Sequence, residues 1–368
     1  MRTKWRDPWQ ELQKKVNFLR NPSSYPVKTK TVECIETHMS WVFITETEAF
    51  KLKKPVHFPF LNLEEIEDRK INSEKEVFIN QKLSPGLYRK AIPLVKKNDS
   101  FEILNEVHDE EVADWLVWMK VMPREFTLDQ EIKNNCVDMK LLHQAANTLV
   151  EFYKKSPSFK ISTDDYKLHL ETCIKENFKI LSRHKYCLDS KLISYIHEEQ
   201  LNFLYSSSRV FDKRVLEGRI IEAHGDLRPE HICLTNPPLL IDRLEFNETM
   251  RMLDPLDELS YLSIECHFLG RSDIGELFLN IYQEMTHDKV ERSLVLFYKS
   301  YRATLRARIS ALHFDDRRIL NKEYYLVKAS QYLNLGKIVL EQHEDTDEGV
   351  PLMNFPPASV SGPSQIMG

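Results

Sequence analysis

Hydrophobic positions recur with a period of two in the first third of the chain and with helical spacing over most of the rest. Trp9–Leu19 reads as a short amphipathic helix, stopped by the breaker cluster Asn21-Pro22-Ser23-Ser24. From Val27 to Val56 three runs alternate apolar with polar residues, Thr31–Glu36, Trp41–Thr45 and Ala49–Lys54, and predict three short antiparallel strands. In the third run Ala49, Lys51 and Lys53 share one face while Phe50 and Leu52 share the other. A lysine aimed into a cleft can hold a phosphate; a solvated face accounts for the same periodicity.

The charged stretch Asn62–Leu83 predicts a helix begun by a capping box of Asn62 and Glu65. Ser73 and Glu76 repeat that spacing, yet Glu76, Ile79 and Leu83 fall on one helical face, which turns the carboxylate toward apolar neighbours. An inward glutamate needs a cation, and Lys51 is the candidate. Glu102–Ile103 and Trp115–Met122 predict further strands, the latter closed by Pro123. Helices follow at Val137–Lys155, Tyr166–Arg183, Ser190–Tyr205, Pro255–Phe268, Ile274–Met285, Lys289–Leu312 and Lys322–Leu340.

The expected architecture is α+β. An N-terminal helix and linker (1–26) precede a small β-rich N-lobe (27–122) and a larger, mainly helical C-lobe (123–341). Residues 342–368, acidic and then rich in Pro, Ser and Gly, are expected to be a disordered tail. A length of 368 residues suits two lobes, and a net charge of −5 argues against nucleic acid or an anionic membrane as partner. Six cysteines without CxxC pairs, no signal-like apolar run at the N-terminus and no eighteen-residue apolar window lead to the expectation of a soluble cytoplasmic protein. None of the nine glycines precedes Gly86, which excludes a Gly-rich phosphate loop before it, and Gly336-Lys337-Ile338 does not complete a P-loop.

Candidate chemistry concentrates in Ile221–Ile241, IEAHGDLRPEHICLTNPPLLI, and the Asp242 that follows. Asp226 beside the Gly225 turn and Asp242 at the end of an apolar strand, Leu239-Leu240-Ile241, form a carboxylate pair of the kind that implies metal-assisted or acid/base chemistry. Taken alone, this pair fits a metal hydrolase as well as a phosphoryl-transfer enzyme.

With Lys51 and Glu76 upstream, the motifs His224-Gly225-Asp226-Leu227, Ile241-Asp242 and Leu253-Asp254-Pro255-Leu256-Asp257-Glu258-Leu259 resemble the aminoglycoside phosphotransferase family, which has a two-lobed protein-kinase-like fold. ETHMSWVFITETEAFKLKKPV, HGDLRPEHICL and FYKSYRATLRAR are similar to an uncharacterised bacterial branch in which such a domain is often fused to a C-terminal P-loop ATP-binding domain, whose pattern this sequence lacks. The likeness runs from Val27 to Leu340. It implies that Asp226 is the catalytic base or orienter for a substrate hydroxyl, and that Asp242 holds Mg²⁺ on the ATP phosphates. Lys51 would contact the α- and β-phosphates with Glu76 holding it, Met119–Met122, including Lys120 and Met122, would offer backbone groups to adenine, and His224 would support the loop.

Two departures stand out. His231 occupies the place, five residues after the catalytic aspartate, where kinases of this fold carry a metal-binding asparagine; a histidine there suits Mn²⁺ better than Mg²⁺, or binds phosphate when protonated. The loop Thr37-His38-Met39-Ser40 has no glycine, so the hydroxyls of Thr37 and Ser40 either substitute for it or are plain turn residues. Glu245, Glu248, Asp254, Asp257 and Glu258 suit a cationic acceptor such as an aminosugar, although Asp254 and Asp257 more often stabilise the lobe in this family. Arg302, Arg306 and Arg308 either bind an acidic group near the site or pair with those carboxylates. The expected function is ATP-dependent transfer of the γ-phosphate, with Mg²⁺ or Mn²⁺, to a hydroxyl of a small molecule. A nucleotide-binding pseudokinase with a regulatory role is the competing class, and nucleotidyl transfer a third.

Overall fold

Asp7 and Pro8 open the first helix: the Asp7 carboxylate accepts from the Trp9 N–H at 3.0 Å, and proline sits in the first turn, where its missing donor costs nothing. The helix, α1 (Pro8–Leu19), buries Leu12, Lys15, Val16 and Leu19. The computed structural model describes residues 7–58, 61–316 and 319–342, which divide into two units. The first contains 7–58, 61–127 and 239–250, and the second contains 128–238, 251–316 and 319–342. The expected tail after Gln342 lies outside the described residues.

Strands and helices are numbered along the whole chain. In the first unit six antiparallel strands form one sheet in the order β1 (Glu33–Glu36), β2 (Ser40–Ile44), β3 (Glu48–Lys53), β8 (Val112–Lys120), β6 (Tyr88–Lys97), β7 (Ser100–Ile103). A two-residue ladder of β4 (His57–Phe58) and β5 (Leu61–Asn62) precedes α2 (Ile66–Asn80). The alternation of β3 separates two environments. Phe50 and Leu52 join Leu12, Val16 and Leu19 of α1 in one core, to which β8 adds Leu116 and Trp118. On the opposite face Val117 and Met119 of β8 pack with Val77 of α2, and there Lys51 and Lys53 stand. Asp114 ties the two sides together, receiving Lys15 of α1 at 2.8 Å and a bidentate Arg69 of α2 at 2.8 and 3.0 Å.

Three local features depart from the pattern. β6 is ten residues long but does not alternate: Ile92, Pro93, Leu94 and Val95 are buried in succession, and the pairing with β8 shifts at Tyr88/Lys90 and at Leu94/Val95. The Asn62 carboxamide accepts from the Glu64 N–H at 3.0 Å, an Asx turn, so that Glu65 takes the N-cap position without a side-chain bond and α2 begins later than expected. A six-residue helix, α3 (Leu128–Lys133), is too short for its period to register.

The second unit is built from α3, α4 (Met139–Lys155), α5 (Thr163–Leu181), α6 (Ser190–Ser206), α7 (Ser208–Leu216), α8 (Pro255–Phe268), α9 (Ser272–Thr286), α10 (Arg292–His313) and α11 (Lys322–Glu341). Asp138, Ser162 and Asp189 cap α4, α5 and α6 through their side chains. Between α7 and α8 run β9 (Ile221–Glu222), paired antiparallel with β12 (Met252–Leu253), and β10 (Ile232–Cys233); β11 (Leu239–Leu240) belongs to the first unit. α8 is buried on every face from Pro255 to Cys266. Ala303, Ala307 and Ala311 repeat every fourth residue along α10, and a Cβ placed on Gly336 of α11 would lie 3.6 Å from that of Ala303, so the two helices pack closely. Among the described residues no helix is long and apolar enough to cross a membrane.

Candidate active site

The residues singled out by sequence fall into two clusters, one in each unit. In the first, β3 alternation and α2 periodicity bring Lys51 and Glu76 together, with Lys51 Nζ 2.9 Å from Glu76 Oε1 and 3.3 Å from Asp242 Oδ1. Lys53, two residues along the same face, reaches the other oxygen of Glu76 at 2.5 Å and Glu245 at 2.6 Å. The outcome is a chain of alternating charge, Asp242, Lys51, Glu76, Lys53, Glu245. Its interior is dry, with the Glu76 and Lys53 side chains 1% and 2% exposed, while Asp242 at its end is 46% exposed. Burial opposes the charge of Lys51, but Asp242, Glu76 and Glu245 outweigh it and hold its pKa well above the ordinary lysine value. Burial likewise opposes the charge of Glu76, and Lys51 and Lys53 reverse the effect, leaving that carboxyl below its usual range.

Asp242 occupies the left-handed region, φ 57°, which is uncommon for a residue with a Cβ and requires support from its surroundings. That support comes from the end of α2 and the residues just after it. The Asn80 side chain accepts from the Arg243 N–H at 2.8 Å and donates to the Arg243 carbonyl at 3.3 Å. Ser84 donates to the Leu240 carbonyl at 2.5 Å, and the Asp242 N–H donates to the Tyr88 hydroxyl at 3.2 Å. Lys120 uses its N–H on the Leu87 carbonyl at 2.9 Å, and Met122 packs against Val77, Leu87, Tyr88 and Val117. Ser40 is buried at the base of the β1–β2 hairpin. There the Thr37 hydroxyl accepts from the Ser40 N–H at 2.9 Å and the Lys54 ammonium donates to the Thr37 carbonyl at 2.5 Å, so the turn is closed by its own groups.

In the second unit Gly225 adopts φ 92°, a turn that only glycine enters without strain, and Asp226 follows it. The buried Glu258 of α8 grips this turn, its two oxygens accepting from the His224 N–H at 3.0 Å, the Gly225 N–H at 2.6 Å and the Tyr153 hydroxyl at 2.7 Å. His224 is fully buried beneath the turn, its Nδ1 3.4 Å from the Asp226 N–H. Asp226 itself is half-buried, with Arg228 Nη2 at 3.1 Å and the Tyr261 hydroxyl at 3.4 Å from its carboxylate. Burial works against its charge, but the Arg228 guanidinium, with Arg306 farther off, overcomes it and holds its pKa below the ordinary aspartate value. His231 Nε2 accepts from Arg228 at 3.2 Å, which leaves Nδ1 to donate to the Asp226 carbonyl at 2.7 Å; both ring nitrogens are engaged within the loop.

Lys53, Asn80, Ser84, Glu245, Arg228 and Tyr261 were not singled out from sequence as partners of these groups. Lys53 carried a signal, since it shares the face of Lys51; Arg228 carried a weaker one, two residues after Asp226. Four of the five acidic residues that suggested a cationic acceptor have partners of their own, Glu245 with Lys53 and Glu258 with the His224–Gly225 turn among them, while Glu248 is exposed. Asp254 caps α8 and takes Arg214 at 2.7 Å through both oxygens, and Asp257 takes Arg302 at 2.5 and 2.6 Å. Arg306 pairs with Glu265 and Arg308 with Glu176. Among the described residues no group of three or more His, Cys, Asp or Glu side chains could hold a metal ion. Mg²⁺ on a nucleotide needs only one or two carboxylates beside phosphate and water, so an exposed Asp242 fits that ion without a protein cage.

No family model matches the sequence. It is 26% identical over 319 residues to uncharacterized proteins of Mycobacterium tuberculosis and Mycobacterium bovis; the match takes in 84% of this chain but 61% of their length. The structure resembles a choline/ethanolamine kinase family protein from Mesorhizobium loti, at 15% identity over 90% of this chain and 96% of that one, with a TM-score of 0.52. It also resembles a thermostable mutant of the aminoglycoside phosphotransferase APH(4)-Ia, at 9% identity over 92% and 99% of the two chains, with a TM-score of 0.51. The chain therefore has the α+β protein-kinase-like fold of the aminoglycoside phosphotransferases.

Proposed function

We propose that the protein is an ATP-dependent phosphotransferase that moves the γ-phosphate to a hydroxyl of a small molecule. The observation that carries this reading is the placement of Lys51 against both the buried Glu76 and the exposed, left-handed Asp242, which puts a fixed cation beside a carboxylate able to take a metal. Phosphoryl transfer asks a protein mainly for positioning and charge neutralisation. Lys51 supplies a positive charge for the α- and β-phosphates, steadied by Glu76, and the chain at Met119–Met122 supplies backbone groups for adenine. Lys120 and Val121 have spent their N–H groups on Leu87 and Thr47, and among the described residues the Met122 N–H has no acceptor, which suits it to a ring nitrogen. Mg²⁺ or Mn²⁺ held by Asp242 would neutralise charge on the phosphates. Asp226, kept ionised by Arg228, takes the proton of the acceptor hydroxyl as its oxygen bonds to the γ-phosphorus. The bond to the β–γ bridging oxygen breaks, and ADP leaves with that electron pair. His231, with both ring nitrogens engaged, positions the Asp226 loop, and the metal proposal rests on Asp242.

The test is release of ADP from ATP with Mg²⁺ or Mn²⁺ across a library of hydroxyl compounds. Asp226→Asn is expected to lower kcat about 10²–10⁴-fold; a loss below tenfold removes Asp226 from that role, and AMP in place of ADP indicates nucleotidyl transfer. The pseudokinase reading draws on the engaged His231 and the self-closed, glycine-free hairpin, and it predicts stabilisation by ATP with no turnover.

A further inference from the structure

A strip of basic and aromatic side chains extends from Asp226 across α8, α10 and α11 within the second unit. The Tyr261 hydroxyl lies 3.4 Å from Asp226. The Arg306 guanidinium carbon stands 5.8 Å from the Tyr261 ring centre and 5.6 Å from that of Tyr332, and Lys328 Nζ stands 5.8 Å from the Tyr332 ring on its own account. Arg228 completes the strip beside Asp226 at 3.1 Å.

The positive charge of this strip is only partly used. Arg306 is offset by Glu265 at 2.8 and 3.3 Å, and Arg228 by Asp226. Among the described residues no carboxylate lies within ion-pair distance of Lys328, and the buried Arg228 Nε has no acceptor. Burial pulls the Lys328 pKa below the ordinary lysine value; Glu265 and Glu230 oppose that, while Arg306 and Arg228 reinforce it. A buried donor without an acceptor, as at Arg228 Nε, and cations within each other's reach are costly arrangements, and an oxyanion relieves both. The carboxylates that a cationic acceptor would need, Asp254, Asp257 and Glu258, are buried and bound to Arg214, Arg302 and the His224–Gly225 turn.

We infer that Arg306 and Lys328, together with Arg228, form a subsite for the anionic group of the acceptor. The substrate is then a small hydroxyl compound that also bears a carboxylate or a phosphate. This substrate class rests on the phosphotransferase reading, whereas the anion subsite itself does not.

A matched series tests it: glycerol, 2-aminoethanol, glycerate and glycerol 3-phosphate, each carrying a free hydroxyl, with the last two separating carboxylate from phosphate. Titration calorimetry on the full chain without ATP should show saturable binding of at least one of the two anions, weakened about tenfold or more in Lys328→Met and restored in Lys328→Arg. ADP release should favour the same anion over glycerol, with Lys328→Met cutting that preference about tenfold. Lys328-dependent anion binding without ADP release from any acceptor keeps the subsite and overturns the phosphotransferase reading. ADP release that favours glycerol or 2-aminoethanol, or a preference unmoved by Lys328→Met, keeps phosphoryl transfer and overturns the subsite. Absence of saturable binding by both anions also overturns it.

Discussion

Lys53 gives the sharpest test of the buried charge chain. Its ammonium lies 2.5 Å from Glu76 and 2.6 Å from Glu245, and the residue is 1% exposed. Lys53→Met keeps an unbranched apolar stem and deletes the terminal ammonium with its charge and donors. Glu76 retains Lys51 at 2.9 Å, so the damage centres on Glu245, which loses the ammonium beside it. Removing one partner of a buried ion pair typically costs about 3–5 kcal/mol, and the surviving Lys51–Glu76 contact places the expected loss at about 3 kcal/mol. Adding Glu245→Gln removes the carboxylate that faced the deleted ammonium, and the double variant should recover about 2 kcal/mol relative to Lys53→Met alone. Urea unfolding followed by tryptophan fluorescence reads this unit directly, because all five tryptophans precede Leu128 and the described ones, Trp9, Trp41, Trp115 and Trp118, lie in the first unit. A loss below about 1 kcal/mol for Lys53→Met, or a further loss on adding Glu245→Gln, refutes the idea that Lys53 neutralises both carboxylates.

The remaining predictions concern the Asp226 loop, the α2 clamp and the helical packing. The folded pKa of Asp226 is depressed from 3.8, so the stability its charge confers is present above that value and is lost as pH falls through the lower folded one. A rate profile should accordingly show no Asp226 limb near neutral pH, while Arg228→Met, by removing the nearest cation, should move the acid limb upward; a stationary limb contradicts the pairing. Asn80→Ala strips both backbone groups of Arg243 of their side-chain partner and should cost about 2–3 kcal/mol, with faster hydrogen exchange at Arg243 as the local readout. Gly275→Ala puts a Cβ 2.6 Å from the Ser263 Cα, where α8 and α9 meet, and should destabilise the second unit by about 1–3 kcal/mol in thermal unfolding.

What the sequence revealed followed the range of its signals. Period two in Ala49–Lys54 and the helical spacing of Glu76, Ile79 and Leu83 put Lys51 and Glu76 on the surfaces that meet. β6 carries no period-two signal, because Pro93 and a run of four buried residues erase alternation in a strand covered on both faces. The start of α2 falls later than the Asn62–Glu65 spacing predicts, since Asn62 spends its side chain on a turn. Partnerships such as Lys53 with Glu245 and Asn80 with Arg243, separated by 192 and 163 residues, leave no local pattern at all. The acceptor class is not legible in the acidic segment after Asp242, because composition records charges without recording the groups that engage them, Lys53 at Glu245, Arg214 at Asp254 and Arg302 at Asp257.

The clamp that Asn80, Ser84 and Tyr88 place on residues 240–243 has a bearing on how the protein is born. The first unit takes in residues 239–250, so a ribosome that has released everything up to Thr127 has not yet supplied Asp242 or Glu245. At about 5–20 residues per second, the wait for them is on the order of ten seconds. Throughout it the nascent sheet carries Lys53 and Glu76 without the segment that completes their charge chain. A fragment ending at Thr127 would hold that unfinished state permanently, and the first unit is separable from the rest only by rejoining two stretches of sequence that biosynthesis keeps apart.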